Sequence, residues 1–274
     1  LSYWCEEMVT PDGRSVPLAL AIGNHEVRGG YGQPTAHAPF FFTLFAQDER
    51  SYHLRRFGTE LVVWLLDSGH TASHGGEQAQ WLERTLQEHA AVRHKVAVYH
   101  IPLWPSHRDE FDDLSVAGRE HWAPSFERHR LSVAFENHDH TFKVSRRIRG
   151  GRVDPDGVLY LGDGCFGRAP RAVTYGGRWY LQHHGSVQHF WCVDVAADGL
   201  TCRAIDLRGR VFHQEPDSGA AASAAAEVRA GLAPIWQLPA GSLKLTPFVP
   251  AVAGGEPGDD PRSEAELSFS NHLD

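Results

Sequence analysis

Three short blocks of this chain bring together residue types that bind metals and move protons. They are Gly23-Asn24-His25-Glu26, His100-Ile101-Pro102 and Asn137-His138-Asp139-His140. Amide oxygen, neutral imidazole and carboxylate together suit borderline ions such as Zn²⁺, Mn²⁺, Fe²⁺ and Fe³⁺. Asn24 is the most telling of these donors, because a neutral amide holds a cation without piling negative charge beside an anionic substrate. His25 leaves the backbone in a different direction from its neighbour, which frees it for acid chemistry or for touching substrate. The chain has 18 histidines, so no single imidazole carries weight alone. What counts is one placement repeated three times.

That placement is the end of a buried strand. Leu18–Ile22 feeds the first block, Val96–Tyr99 the second and Ser132–Phe135 the third, each a short apolar run. Open α/β sheets build their sites from loops at the carboxyl ends of strands. Glu60–Asp67, with Leu61 to Leu66 continuously apolar, reads as another buried strand. Glu77–His89 reads as a helix with Ala79, Leu82 and Leu86 on one stripe. Strand, helix and strand in that order predict a βαβ unit. Val158–Leu161, closed by Gly162-Asp163-Gly164, adds a strand. Phe190–Val195 and Leu200–Leu207 read as a hairpin, with an edge strand at Gly209–Phe212.

Residues 1–17 read as a loop or frayed helix, and Val27–Arg50 as a long irregular segment of the kind that is often functional. Cys192 and Cys202 flank the predicted hairpin turn, and both a disulfide and two buried free thiols fit that spacing. The formal charge of −8 leaves no electrostatic footprint for nucleic acid. No apolar run is long enough to span a bilayer. The domain reading is 1–215 as one layered domain, 216–262 as an Ala- and Pro-rich linker or extension, and 263–274 as the start of a further β-domain cut short.

In order along the chain, these motifs resemble the calcineurin-like metallophosphoesterases, and within them the purple acid phosphatase-like branch. Gly23–Glu26 matches the GNHE block, and Asp67-Ser68 with Gly76 to Leu82 looks like the "LDS…Q..WL" region. His100-Ile101-Pro102 matches the lone-histidine block and His138-Asp139-His140 the final HxH. Tyr160-Leu161-Gly162 and Ala204-Ile205-Asp206 resemble the closing strands. The likeness runs from about Leu18 to His213. It implies an α/β (α+β sandwich) fold of two packed mixed β-sheets flanked by helices in four layers. It implies two metal ions (Fe, Zn or Mn), with Asn24, His100 and His138 binding one and His140 the other. His25 would contact the phosphoryl oxygens or protonate the leaving group. The substrate would be a small phosphoester, and the resemblance leans toward a secreted or periplasmic setting.

Two family blocks are absent: an Asp-x-His, and a Gly-Asp that supplies the bridging carboxylate. The expectation is that the fold is N-terminally incomplete, that one or two βα units precede Leu1, and that these 274 residues alone have little phosphatase activity. Asn137 stands where the family has glycine, and is expected to tolerate the φ > 0 that glycine permits there. Glu136 reads as support for the ligands or as an exposed side chain. His70, His74 and His107 sit in loops near the ligand-bearing ends, where they could line a substrate pocket, with surface placement the favoured expectation. Arg28 and Arg168 are candidates for clamping phosphate, and His183-His184 should point to opposite faces. Two other readings stand beside the phosphatase: a non-catalytic binding module on the same fold, and a phosphodiesterase or nucleotidase.

Overall fold

A computed structural model describes residues 2–162, 165–196 and 199–216. The chain divides into two compact units. Of the first, the described part is residues 8–17 and the short helix α1 (Ser2–Glu7), closed by the Trp4 indole donating to the Val16 carbonyl at 2.8 Å. The second begins at Leu18 and carries every block singled out above.

Its centre is a seven-stranded sheet. In chain order the strands are β1 (His53–Phe57), β2 (Leu61–Leu65), β3 (His94–Tyr99), β4 (Val133–Glu136), β5 (Phe142–Ser145), β8 (Leu159–Gly162) and β9 (Leu181–Gly185). The spatial order is β1-β2-β3-β4-β8-β5-β9. Strands β2, β3, β4 and β8 run parallel, so their carboxyl ends lie along one side of the sheet. A small hairpin, β6 (Ile148–Arg149) and β7 (Arg152–Val153), interrupts the run. A second, three-stranded sheet of β10 (His189–Val195), β11 (Leu200–Asp206) and β12 (Val211–Glu215) is antiparallel throughout.

The strands are apolar on both faces because both faces are covered. Side chains alternate along a strand, so Val62, Trp64, Ala97, Tyr99, Ala134 and Tyr160 all face one way. There they meet α3 (Gly76–Glu88), α4 (Asp113–His121) and α5 (Ala123–Arg128) through Trp81, Leu82, Leu86, Trp122 and Phe126. Their alternates Val63, Val96, Val133, Leu159 and Leu161 face the second sheet, packing with Cys202, Ala204 and Trp191. Complete burial of each such side chain stabilises by roughly 1.5–3 kcal/mol, and Trp64, Trp122 and Phe126 are fully enclosed. The fold is mixed α/β with two packed sheets and helices, as the motifs implied. The second sheet is antiparallel rather than mixed, and the described helices that cover the large sheet lie on one face of it.

Several local readings are corrected. Leu18–Ile22 forms no strand: β2 is already paired on both sides by β1 and β3, and the segment joins none of the described ladders. It packs locally, with Leu20 and Ile22 against Val27, Ala38 and Phe41. Val27–Arg50 is not wholly irregular, for it holds a 3₁₀ turn at Thr35–His37 and helix α2 (Pro39–Leu44) with proline at its first position. The buried stripe of α3 includes Gln78 and Trp81, while Ala79 is only half-buried. Cys192 pairs with Arg203 and Cys202 with Val193, which puts the two thiols on opposite faces, and both are free. Residues 217–274, and with them most of the expected linker and the whole expected β-domain, lie outside the described residues, as do Asp163 and Gly164.

Candidate metal centre

Four loops converge at the carboxyl ends of the parallel strands. The loop after β2 is organised by Asp67, which is fully buried. Its carboxylate accepts from Ser51 Oγ at 2.6 Å, from Thr71 Oγ1 at 2.7 Å, and from the backbone N–H groups of His70, Thr71 and Ala72 at 2.7–2.9 Å. The Gln78 amide fixes the same residue by accepting from the Asp67 N–H and donating to its carbonyl, both at 2.9 Å. Five donors on one carboxylate offset the cost of taking it out of water. Ser68 Oγ then accepts from the Ile101 N–H at 2.8 Å, tying this loop to the one that carries His100.

The loop after β3 is held from below. Glu136, fully buried and not exposed, accepts from Tyr99 Oη at 2.8 Å and the Leu103 N–H at 2.7 Å, and pairs with the equally buried Lys143. Lys143 also donates to the Trp104 carbonyl at 2.7 Å. The loop after β4 is pinned twice more. Asn137 donates its side-chain amide to the Tyr99 carbonyl at 2.8 Å, and Asp139 accepts from the Ser106 and His107 N–H groups at 2.6 and 2.9 Å. Between these anchors His138 and His140 adopt φ of 70° and 54°. The left-handed backbone expected at Asn137 therefore falls on the two histidines instead. Such conformations cost on the order of 1–3 kcal/mol each and persist only where the surroundings over-determine them.

Three candidate ligands meet. His100 Nε2 lies 2.7 Å from Asn24 Oδ1 and 2.9 Å from His138 Nδ1. Gly23 makes this approach possible: a Cβ there would sit 2.9 Å from His100 Nδ1. Tyr31 closes one side, its hydroxyl 3.3 Å from His138 Nε2 and its ring stacked on His70 at 5.1 Å. His70 in turn leans on the His100 ring at 5.4 Å, with its Nδ1 2.9 Å from the Gly30 carbonyl.

Burial pushes His100 down to about 3, His138 to about 2 and His140 to about 4, and neighbouring cationic side chains add to each shift. His70 is lowered too, chiefly by burial, against the opposing pull of the Gly30 carbonyl and Asp67. These imidazoles are neutral at pH 7, with lone pairs free to coordinate. Among the described residues His140 makes no side-chain hydrogen bond to Asn24, His100 or His138, but it acts electrostatically on His100. It shares their electrostatic field with His25, which is exposed, and stands among Arg108, Arg168 and Arg171. The Arg171 N–H donates to the His140 carbonyl at 2.8 Å, and Arg108 approaches Asp139 at 3.7 Å.

The donor set fits one cation. At most one of the two facing imidazoles can place its proton on their shared edge, so Asn24 Oδ1, His100 Nε2 and His138 Nδ1 crowd lone pairs into one place. Donors bound at 2.0–2.1 Å sit ~2.9–3.4 Å apart around an ion, so accommodating one asks for shifts of tenths of an ångström. For a second ion, the residues of this reading supply His140 alone.

Some residues of the centre were not read from the sequence as such. His70 and His74, expected at the surface, are buried at 0% and 3% exposure, and His107 is half-buried. The signal for His70 was available, since it follows β2 as His100 follows β3. Tyr31, Arg108 and Arg171 had no such signal, because a long loop must fold back to bring them in. Arg28 and Arg168 are both exposed, and Arg168 stands within electrostatic reach of His140. An open cleft of about 690 Å³ adjoins Tyr31 and runs over Gly69, His74, Leu114 and His121.

No known family profile matches the chain. It is similar in structure to a purple acid phosphatase isolated from yellow lupin seeds, with a TM-score of 0.56 and 15% identity over 71% of this chain and 39% of that one. GAP50, the anchor in the inner membrane complex of Plasmodium, aligns with a TM-score of 0.47 and 10% identity over 60% of this chain and 52% of its own. In sequence the chain is 26% identical over 129 residues to mouse procollagen-lysine,2-oxoglutarate 5-dioxygenase 1, which covers 47% of this chain and 17% of that protein. The chain thus spans well under half the length of the curated relative and of the lupin enzyme.

Proposed function

We propose that this chain, which has the calcineurin-like metallophosphoesterase fold, serves the metal-dependent hydrolysis of phosphoesters. The convergence of Asn24 Oδ1, His100 Nε2 and His138 Nδ1 within hydrogen-bonding distance supports that reading above all. Asn24, His100 and His138 would hold one ion and His140 the other, as Fe, Zn or Mn. Such a pair, when bound, polarises the phosphoryl group and lowers the pKa of bound water.

The chain's own residues supply the rest. Arg108, Arg168 and Arg171 place positive charge around His140, where a doubly or singly charged phosphoryl group is best held. His25, exposed and within electrostatic reach of His100 and His140, would give a proton to the departing oxygen. Tyr31 and His70 wall off His138 and His100 from bulk water, which strengthens each polar contact inside. A binding module on the same fold is the competing reading, favoured by the short supply of donors for a second ion.

The test is paired. Titration of Mn²⁺ or Zn²⁺ into the chain should show an ion lost on His100→Ala or His138→Ala. Hydrolysis of an aryl phosphomonoester and an aryl phosphodiester by the natural protein should fall ~10²–10⁴-fold on His25→Ala, the usual size of a general acid's contribution. Binding without turnover would leave the module reading, and turnover unmoved by His138→Ala would overturn the proposal.

A further inference from the structure

A second group of donors lies on different strands. His183 of β9, with His213 and Glu215 of β12, places two imidazole nitrogens and a carboxylate oxygen within 4.8 Å of one another. His213 Nε2 is 3.0 Å from Glu215 Oε1, and the His183 and His213 rings are 4.9 Å apart. Two residues apart on one strand, His213 and Glu215 share a face. His183 and His184 face opposite ways as expected, His184 lying against Gly176, so His183 alone turns toward β12.

The setting favours a cation. His213 is backed by the Phe142 ring at 5.4 Å and the Trp191 ring at 6.3 Å, which fix the imidazole and thin the water behind it. β9 is an edge of the seven-stranded sheet and β12 an edge of the three-stranded one, and no backbone ladder joins them. His183 is exposed, so its side chain has room to close the last few tenths of an ångström.

We propose that His183, His213 and Glu215 bind a borderline divalent cation, Zn²⁺ by donor type, as a clip between the two sheets. Two imidazoles and one carboxylate are an established Zn²⁺ donor set, with the fourth position left to water. The clip uses none of the strand-end residues and does not depend on the phosphoesterase reading. Its bond would replace the missing ladder between β9 and β12, so the ion should stabilise the fold rather than drive turnover.

Co²⁺ and Zn²⁺ titrations of the 274-residue chain test this, followed by the ligand-field absorption of Co²⁺ and by thermal unfolding. In an Asn24→Ala, His138→Ala background, which silences the strand-end centre, one equivalent of Co²⁺ should still bind and raise the unfolding temperature. Adding His183→Ala, an exposed change that spares the core, should weaken that binding by more than ~10-fold, the loss of one of three protein ligands, and abolish the thermal shift. Glu215→Gln, which keeps an acceptor oxygen, should weaken it less. No ion bound in the silenced background, or binding unchanged by His183→Ala and Glu215→Gln together, would overturn the clip and leave only a hydrogen bond between His213 and Glu215.

Discussion

Lys143 and Glu136 form an ion pair almost wholly shut off from water, with 1% and 0% of each side chain exposed. Replacing Lys143 by Met would keep the volume and delete the charge, leaving a buried carboxylate with only Tyr99 Oη and the Leu103 and Trp104 N–H groups to satisfy it. Removing one partner of such a pair costs about 3–5 kcal/mol. For a domain of this size that is a fall of roughly 6–20 °C in Tm. Glu136→Gln should cost a similar amount, because its amide nitrogen would replace the oxygen that Lys143 contacts. The double variant should recover most of the loss. In it the oxygen of the introduced glutamine keeps the bonds from Tyr99 and Leu103, and its amide can donate to the Trp104 carbonyl that Lys143 had used. Urea unfolding of the four proteins gives the coupling energy, expected at ~2 kcal/mol or more in favour of the double variant, well above the ~0.5 kcal/mol scatter of independent sites. Single variants that add within that scatter would show that the two charges do not support each other, and that the His100 loop is held by its other ties.

Two further outcomes follow from single residues. Gly23→Ala should displace His100, since the new Cβ would meet its Nδ1 at 2.9 Å. Metal affinity measured by titration should drop at least ~10-fold with a stability loss under ~2 kcal/mol, as for ligand misplacement rather than core damage; unchanged affinity would count against His100 as a ligand. Burial pushes His53 and His74 down to about 4, helped by Arg55 and His121 respectively and, for His74, opposed by Asp67. Unfolded, they protonate near 6.5, so the unfolded chain takes up protons the native one refuses. Stability should therefore fall as pH drops from about 6.5 to 4, by up to ~3 kcal/mol per histidine. Unfolding midpoints across that window should flatten in His53→Leu and His74→Leu, and a pH slope identical in all three proteins would refute the assignment.

Much was legible from pattern alone. The apolar runs of β2, β3, β4 and β8 announced a buried sheet because a strand covered on both faces needs no polar alternation. The donors at their ends announced a centre, because parallel strands deliver their following loops to one side. Elements without a continuous pattern were missed. β1 carries Arg55, Arg56 and Phe57 exposed along an edge, and β9 carries Gln182, His183 and His184 exposed likewise. Edge strands are defined by the neighbour they pair with, and a neighbour distant in sequence leaves no local trace. The same reason explains the error at Leu18–Ile22, an apolar run that pairs with no described strand and packs locally instead.

The sequence by itself determined the donor types, their order and the strands behind His100 and His138, since these follow from short-range periodicity and residue chemistry. Only the tertiary structure decided which donors touch. It brought Asn24 across to His100 and set His138 Nδ1 toward the same point through a left-handed backbone. It buried His70 behind Tyr31 and turned His183 toward a strand far along the chain. Local propensity fixes what a strand end offers, whereas the meeting of two strand ends depends on sheet order, twist and the loops that anchor them. Those are properties of the packed whole.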